Sequence, residues 1–375
     1  MKKIILIIAI ALLGFPIMSF SQGCMGGDSD DGVKVIGYIQ GQYEHQFLGQ
    51  DIKPIRGLKS NNSFYFNRAR IGVVGSIPYD FSYYVLTEFS PTKGGPYLLD
   101  AFITYKRFDP YFKVSLGQFK SPFGLELTTP CQALYTVDRS RFVNELASPF
   151  RDLGIMFLGS TGELFGKKDL IAYRIAITNG TGKNVMDDNE FKDYMGRIII
   201  SPLDWLHIGG SYRYGKQTPV KEELDPDERT RWGVDLSLEK ANFIFQAEYI
   251  QGLDKGSSEV GGGCGSTPTI VLGDFKKSGY MAQILYMTPW NFQPVVKFES
   301  YDPNIKIGDG NPDDVEGAYD YDKQQDFTFG FNYFFAETVR LQMNYVYKIE
   351  ESGDTDATYH EVANDYFVMQ VQVIF

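Results

Sequence analysis

The feature that most limits how this 375-residue chain can fold is a regular alternation in the length of its connections. From residue 33 onward, period-two segments of strand length are separated by turn-rich segments, which predicts β-structure throughout. We predict sixteen strands, at 33–47, 62–77, 80–89, 97–107, 111–118, 151–159, 169–178, 191–201, 206–216, 230–238, 242–251, 276–287, 293–302, 323–334, 338–348 and 364–375. Connections after even-numbered strands are mostly tight. Those after odd-numbered strands are mostly long and polar: 48–61, 119–150, 179–190, 217–229, 252–275, 303–322 and 349–363.

An even strand count with the tight turns at one end predicts a closed up-and-down barrel in an outer membrane. Short turns would then face the periplasm and long loops the exterior. A soluble sandwich has no reason to keep its short turns at one end. No apolar stretch long enough for a spanning helix occurs after residue 21, which leaves a closed barrel as the way to cross a bilayer.

The two faces of the predicted strands differ in polarity, as a lipid-facing band and a wet interior require. The outer face is predicted to carry Tyr65, Ala69, Ile71 and Val73 in one strand, Leu99, Ala101, Ile103 and Tyr105 in another, and Phe327, Phe329, Phe331 and Tyr333 in a third. Aromatic residues make up 15% of the chain, which favours strands. Those near strand ends are expected in interfacial girdles: Tyr84, Tyr105, Tyr249, Tyr286 and Trp290.

The last strand, 364–375, has no polar tail and is expected to close the barrel against the first. Its apolar face, predicted to contact lipid, comprises Phe367, Met369, Val371, Val373 and Phe375. Gln370 and Gln372 are predicted to face water.

The amino-terminal residues 1–21 predict a secretory signal peptide, with Lys2 and Lys3 before an apolar run and a cut after Ser21. An uncleaved anchor is an alternative, and Cys24 raises a lipoprotein alternative. A short segment, 22–32, then precedes the barrel at 33–375.

Cysteine usage and net charge exclude some functions. The three cysteines lie far apart without a CxxC pair, so no metal site or cofactor is predicted, while a disulfide between Cys131 and Cys264 stays open. The net charge of −11 argues against a nucleic-acid partner.

Four blocks resemble the outer-membrane porins of the phosphate-selective O and P family: "NRARIGVVGSI", "LLDAFITYKRF", "VSLGQFKSPFGLELTT" and "SPFRDLGIMFLG". The specific part is "GQFKSPFGLE" followed by "RDLG" at 151–154. The resemblance implies a sixteen-stranded barrel, commonly a trimer, whose third outward loop folds into the lumen as a constriction. Here that loop is 119–150, the longest connection. The family implies a pore rich in Arg and Lys, whereas this chain is acidic overall. The resemblance therefore supports a channel more strongly than it supports selectivity for phosphate.

The alternation also predicts which charges line the barrel interior. The predicted pore-lining cations are Arg68, Arg70, Lys106, Lys113, Arg174, Arg197, Arg213, Arg231, Lys297 and Arg340, with Lys348 as an eleventh. The predicted interior acids are Glu88, Asp100, Asp235, Glu248, Glu299 and Asp326, which leaves 11 − 6 = +5 on the wall. Acidic residues concentrate instead in loops 303–322 and 349–363, where they solvate the surface or bridge divalent cations to lipopolysaccharide. We hypothesise a wall that favours anions beneath an acidic rim.

The constriction loop carries four further cations: Lys120, Arg139, Arg141 and Arg151. Two interpretations stay open for each of them. Either it projects into the passage, where rings of charge select permeants, or it pairs with a nearby carboxylate and anchors the loop. The candidate carboxylates are Glu126, Asp138, Glu145 and Asp152.

The expected function is passive diffusion of small anionic or polar solutes, phosphate among them, across the outer membrane. A non-conducting adhesion barrel is one alternative and a barrel hydrolase another. No nucleophile motif accompanies His45, His207 or His360, so an enzyme is not expected. The expected partners are outer-membrane lipids, lipopolysaccharide, two sister copies in a homotrimer, and the barrel-insertion machinery, for which Phe375 is the predicted assembly signal.

Overall fold

A computed structural model describes residues 32–49, 54, 56–78, 80–219, 224–260, 269–303, 305, 323–350 and 363–375. Several predictions concern other residues. The signal peptide, Cys24, Cys264, His360 and nearly all of the two acidic loops lie outside the described residues.

The described chain forms one closed antiparallel barrel of sixteen strands. The strands are β1 (Val33–Leu48), β2 (Asn62–Ile77), β3 (Phe81–Glu88), β4 (Tyr97–Phe108), β5 (Phe112–Lys120), β6 (Arg151–Ser160), β9 (Ile171–Thr178), β10 (Asp193–Leu203), β11 (Leu206–Gln217), β12 (Asp227–Lys240), β13 (Phe243–Val260), β14 (Thr269–Tyr286), β15 (Phe292–Asp302), β16 (Gln324–Ala336), β17 (Val339–Glu350) and β18 (Asn364–Ile374). A separate two-stranded ribbon, β7 (Glu163–Leu164) with β8 (Lys167–Lys168), interrupts the connection between β6 and β9. Each predicted strand overlaps one barrel strand, so the predicted fold class is confirmed.

The helical segments are short. They are helices Leu125–Thr128 and Arg141–Leu146 and the 3-10 turns Pro91–Lys93 and Cys131–Ala133. No helix among the described residues has the length and hydropathy needed to cross a bilayer. The tight turns gather at one end of the barrel, here called the turn end, and the long connections gather at the other, the loop end.

The barrel closes where β1 pairs with β18, in a register that sets Gln40 opposite Gln372. The Gln40 side chain donates a hydrogen bond to Gln372 Oε1 at 2.6 Å on the interior side. Beyond the last paired strand residues, Gly37 and Phe375 exchange two backbone hydrogen bonds, of 2.8 and 3.0 Å. The predicted pairing of the first and last strands is therefore confirmed.

Two β-bulges make simple alternation fail for Tyr65 and Leu99. The β1–β2 register shifts at Gln40/Gly41, and the Tyr65 hydroxyl donates to the inward carboxylate of Glu44 at 2.7 Å. The β3–β4 register shifts at Leu86/Thr87, and Leu99 is 2% exposed on the interior side. A one-residue slip exchanges the two faces, so the lipid-facing prediction for these two residues was wrong.

The interior is not polar all the way round. One inward-facing group is an apolar cluster of Phe102, Phe119, Met156, Leu158, Ala176 and Met195. Tyr84 packs against this cluster and stacks on Phe102 with ring centroids 5.3 Å apart, so its placement in an interfacial girdle was wrong. Tyr249 and Tyr286 contact the neighbouring rings of Trp232 and Phe243, and their place in a girdle stays a prediction.

The hairpin of β13 and β14 extends much further than predicted. Its ladder continues to the pair Val260 and Thr269, so most of the predicted loop 252–275 is strand. Past the bilayer a ladder needs no apolar face, and the polar residues there mask the alternation from which strands are predicted.

We expect Gly37 to be essential for closure. A Cβ atom at Gly37 would lie 2.6 Å from the Arg70 carbonyl oxygen and 2.7 Å from the Phe375 ring, whereas one at Gly41 on the same strand meets nothing within 4 Å. Gly37→Val should therefore abolish the heat-modifiable, protease-resistant barrel on gels, and Gly41→Val should retain it. Equal yields of barrel from the two variants would contradict this account of closure.

Candidate functional site

The connection between β5 and β6 folds into the barrel and packs on its inner wall. Helix Arg141–Leu146 buries Phe142, Val143 and Leu146 in a cluster with Ile250 of β13 and Met281 of β14. Its opposite side is exposed, at Arg141, Asn144, Glu145 and Ser148, which are three or four residues apart and therefore share one helical face. An amphipathic helix thus lines the lumen with its polar side.

Wall carboxylates hold the start of this loop by its backbone. Glu248 of β13 accepts hydrogen bonds from the N–H groups of Leu125 and Glu126, at 2.8 and 2.9 Å. The preceding residue must be glycine, since Gly124 has a φ of +68° and a Cβ there would lie 2.3 Å from Glu248 Oε1. The carboxylate caps the unsatisfied donors of helix Leu125–Thr128.

Glu126 joins the two helical parts of the loop to the wall. Its carboxylate accepts the Ser140 N–H at 2.7 Å, just before the second helix, and the Lys297 ammonium at 2.8 Å. Lys297 is also 3.2 Å from Glu299, whose carboxylate accepts the Arg141 N–H at 2.7 Å. Predicted as an open pore-lining cation, Lys297 is buried and paired.

Arg340, also predicted to line the pore, binds the middle of the loop. Its guanidinium donates to the carbonyl oxygens of Leu134 and Gln132, at 3.0 and 2.9 Å. Asn344, four residues along β17, accepts the Val137 N–H at 2.8 Å. The wall therefore satisfies loop peptide groups that would otherwise be buried without partners.

Most of the other predicted wall cations are neutralised by carboxylates. The pairs are Arg70 with Glu88, Arg197 with Asp235, Arg213 with Asp193, Arg231 with Asp254, Lys113 with Asp109 and Lys348 with Asp326. Lys106 donates to Ser76 Oγ at 3.1 Å, and Arg174 stands opposite Arg197 in the β9–β10 register. Glu44, Asp193 and Asp254 are interior acids that were not predicted, so the predicted wall excess of +5 was too high. Asp193 shares the parity of the predicted inward Arg197, and Glu44 alternates with Gln42 and Gln46, so the pattern carried a signal for both, whereas Asp254 lay in a predicted loop.

Between the loop and the wall lies a cavity of about 1130 Å³ that opens toward the loop end. Eleven cations and four acids line it, an excess of seven positive charges. The cations are Arg56, Lys59, Arg68, Arg70, Lys93, Arg139, Arg141, Arg151, Lys183, Lys297 and Lys348, and the acids are Asp138, Glu145, Glu299 and Asp326. Of the predicted cations, seven therefore meet at one cavity: Arg68, Arg70, Lys297, Lys348, Arg139, Arg141 and Arg151. The other predicted cations, Lys106, Lys113, Lys120, Arg174, Arg197, Arg213, Arg231 and Arg340, are not among its lining residues.

Some of these cations have carboxylate partners just behind the cavity surface. Arg56 pairs with Glu44, Arg70 with Glu88, Arg151 with Asp100 and Lys297 with Glu126. Subtracting these four carboxylates still leaves an excess of three positive charges. Among the constriction-loop cations, Arg151 thus follows the anchoring interpretation, and Lys120 donates to the Thr129 carbonyl oxygen at 2.9 Å.

Four lining cations form what we call the basic arc: Arg68, Lys93, Arg139 and Lys183. Arg68 bonds the neutral amide of Gln40, and Lys183 lies 3.9 Å from the centroid of the Tyr97 ring. Arg139 donates to the carbonyl oxygens of Glu126 and Thr129. Within the described part of the chain, no arc residue has a carboxylate partner in a salt bridge. Lys93 and Lys183 were missed because they lie in connections, where strand alternation assigns no face.

The pKa values of the two arc lysines are both lowered, by burial first and by neighbouring positive charge second. Burial lowers the pKa of the Lys93 ammonium, and the charge of Arg68 lowers it further. Burial likewise lowers the pKa of Lys183, with Arg151 and Arg70 adding to the effect. Each of these ammonium groups lies where additional positive charge is disfavoured.

The same positive charges favour the ionised form of Cys131, because a thiolate is an anion whereas an ionised lysine is a cation. Its free, buried thiol receives N–H contacts from Arg70 at 3.3 Å and from Arg139 at 3.4 Å. Burial alone would raise the pKa of this thiol, but the charges of Arg139, Arg68 and Arg70 hold it well below its ordinary value. Its predicted alternative partner, Cys264, lies outside the described residues.

No group of His, Cys, Asp and Glu in the described ranges has the arrangement of a metal site. Chemically, the cavity offers charge and hydrogen-bond donors to a passing solute.

Comparison with known proteins agrees with the fold. The family model for phosphate-selective porin O and P matches residues 38–225 and 220–375, which together span almost the whole barrel. No curated protein matches the chain significantly by sequence.

Three solved structures illustrate the likeness, which at their level of identity concerns the fold alone. An anion-selective porin from Comamonas acidovorans has a TM-score of 0.65 at 12% identity, covering 92% of this chain and 99% of that one. The outer-membrane channel DcaP of Acinetobacter baumannii has a TM-score of 0.64 at 12% identity, covering 93% and 99%. OmpF of Salmonella typhi, in complex with daunomycin, has a TM-score of 0.59 at 14% identity, covering 92% and 97%.

We expect Cys131 to react faster with an anionic methanethiosulfonate than with a cationic one, because the surrounding guanidinium groups concentrate anions. In a Cys24→Ser/Cys264→Ser background, the rates measured by intact mass should differ by about tenfold. A matched control carries Cys131→Ser and Thr338→Cys, which places a thiol at an exposed turn-end position, and should show little preference. Equal rates at Cys131 would contradict a positive potential at the loop.

Proposed function

Because the chain belongs to the phosphate-selective porin O and P family, we propose that it admits small anions to its barrel by means of the basic arc. Family membership makes it an outer-membrane porin, a channel and not an enzyme. The proposal concerns which solutes pass: small anionic or polar solutes, with phosphate among the candidates.

The observation that carries this proposal is the set of cations without carboxylate partners at the cavity. Arg68, Lys93, Arg139 and Lys183 come from four separate segments of the chain and meet at one inner surface. With an effective dielectric constant of about 20, a unit charge about 8 Å from a permeating ion contributes about 2 kcal/mol. Several such cations outweigh outer-loop acids, whose fields are screened within about 8 Å at physiological salt. The net positive charge of the cavity lining therefore favours anions, although the whole chain is acidic.

Assembly is the second part of the proposal. We infer a homotrimer that is inserted by the barrel-assembly machinery, which reads the terminal Phe375, and that contacts lipid and lipopolysaccharide. The exposed outer residues Ile71, Ile198, Val234 and Phe329 supply the apolar belt that lipid or a sister subunit can cover.

Ion selectivity tests the first part. In a planar bilayer with a KCl gradient, the reversal potential should have the sign of chloride permeation. Lys93→Gln/Lys183→Gln should lower the chloride-to-potassium permeability ratio by about threefold, because two unpaired charges leave the cavity. The matched control Lys34→Gln/Lys168→Gln removes two exposed lysines remote from the cavity and should leave the ratio unchanged. Potassium selectivity in the wild type, or an equal fall in both double variants, would contradict the proposal.

The assembly signal has a separate test. Deleting Phe375 removes the terminal aromatic residue and its two backbone bonds to Gly37, so the yield of heat-modifiable trimer should fall severalfold. Phe375→Tyr preserves an aromatic terminus and should assemble normally. If the deletion assembled as well as the wild type, Phe375 would have no role as a signal.

A further inference from the structure

The Lys183 ammonium group of the basic arc lies over an aromatic ring. Its Nζ is 3.9 Å from the centroid of the Tyr97 ring, at the start of β4, and both residues line the cavity. A cation over the face of a tyrosine is attracted by the quadrupole of the ring. Within the described residues Lys183 has no salt bridge, so the ring takes the place that a carboxylate holds at Arg70 and Arg151.

Hydrogen bonds one residue further along each segment fix this contact. The Asn184 side-chain amide donates to the Leu98 carbonyl oxygen at 2.8 Å, and the Asn184 backbone N–H donates to Gln118 Oε1 at 2.7 Å. Asn184 has a φ of +59°, in the left-handed region that asparagine adopts more readily than most residues. These bonds pin the connection to the start of β4 and so place Lys183 over the Tyr97 ring.

The nature of the partner matters, because the connection that carries Lys183 also carries acids, at Asp187, Asp188 and Glu190. Asp187 already pairs with another lysine of this segment, Lys192. A lysine side chain is long and flexible, so without the ring Lys183 is free to turn toward such acids. An ion pair would cancel its charge for a permeating anion, whereas a ring has no net charge and attracts the ammonium group without cancelling it.

Arg139 makes a second contact of this kind in the basic arc. Its guanidinium carbon lies 5.7 Å from the centroid of the Phe150 ring, which also lines the cavity. Phe150 packs against the buried cluster that holds helix Arg141–Leu146, so its ring is fixed. Two of the four arc cations thus lie on aromatic rings at the cavity surface.

We propose that Tyr97 is a positioning residue for anion selectivity, which holds the Lys183 ammonium group at the cavity surface without neutralising it. This inference rests on the proposed function, because it explains how one cation of the basic arc stays available to anions. The face of the ring makes the contact, so the hydroxyl group of Tyr97 is not needed for it.

Variants of Tyr97 that preserve charge test the inference. The chloride-to-potassium permeability ratio is measured from reversal potentials in a KCl gradient, and Lys183→Gln should lower it by about twofold. Tyr97→Leu removes no charge, yet it should produce more than half of that fall, because the ammonium group is released from the cavity surface. Tyr97→Phe keeps the ring and should retain the wild-type ratio.

Two further measurements separate positioning from a general structural role. In a Lys183→Gln background, Tyr97→Leu should cause no additional fall, because the cation that the ring holds is absent. Phenylalanines with one, two and three ring fluorines at position 97 should lower the ratio stepwise, since fluorine weakens the negative face of the ring at nearly constant shape.

Trp205→Leu is the matched control. Lys240 lies 4.5 Å from the centroid of the Trp205 ring at the turn end, and neither residue lines the cavity. Removing this ring disturbs a cation–π contact that no permeating anion meets in the cavity. The variant should therefore keep the wild-type permeability ratio.

An unchanged ratio in Tyr97→Leu would overturn the inference, as would an equal fall in the Lys183→Gln background or a ratio that ignores fluorination. If Tyr97→Leu does not assemble, the fluorinated series decides alone, because it keeps the ring. A wild type that selects chloride while its Tyr97 variants do not differ loses only this inference. A potassium-selective wild type contradicts the proposed function as well.

Discussion

The buried ion pair between Glu126 and Lys297 is the contact on which the shape of the passage depends. Glu126 belongs to the inserted loop and Lys297 to the wall, and the same carboxylate receives the backbone of Ser140. Removing one partner of a buried pair typically costs about 3–5 kcal/mol, because the other charge is left uncompensated. One carboxylate thus holds both helical parts of the loop against β15, and the cavity exists only while the loop stays there.

The pairing of charges elsewhere follows from the same requirement. A closed barrel satisfies its backbone, but a filled lumen removes water from the inward side chains, so each buried guanidinium needs an anion or several carbonyl oxygens. Asp193 pairs with Arg213 and Asp254 pairs with Arg231, while Arg340 donates hydrogen bonds to carbonyl oxygens of the loop. Wall cations used in this way stabilise structure, which leaves a smaller set at the cavity for solutes.

Sequence reasoning recovered the barrel because closure depends on local signals. Strand alternation, tight turns and the terminal Phe375 each appear within a few residues, and their order determines the topology. It failed for Tyr65 and Leu99, because a bulge is a long-range property of two paired strands. It did not predict which inward charges pair, because alternation assigns a face and not a cross-strand contact such as that of Arg213 with Asp193. The arc residues Lys93 and Lys183 depend on how connections fold over the rim, which no strand pattern encodes.

An acidic chain can still form a cationic passage. The sign of the electrostatic potential at a constriction is set by unpaired charges within a few ångströms, and not by the net charge of the whole chain. Glu44, Glu88, Asp100 and Glu126 each neutralise a cation from behind the cavity surface. These carboxylates lower the net charge of the protein without facing a solute. The basic arc faces the solute without such partners, so the passage is positive in sum although the chain is acidic. The charge that a solute meets is then a consequence of how the inserted loop and the wall divide their cations between pairing and exposure.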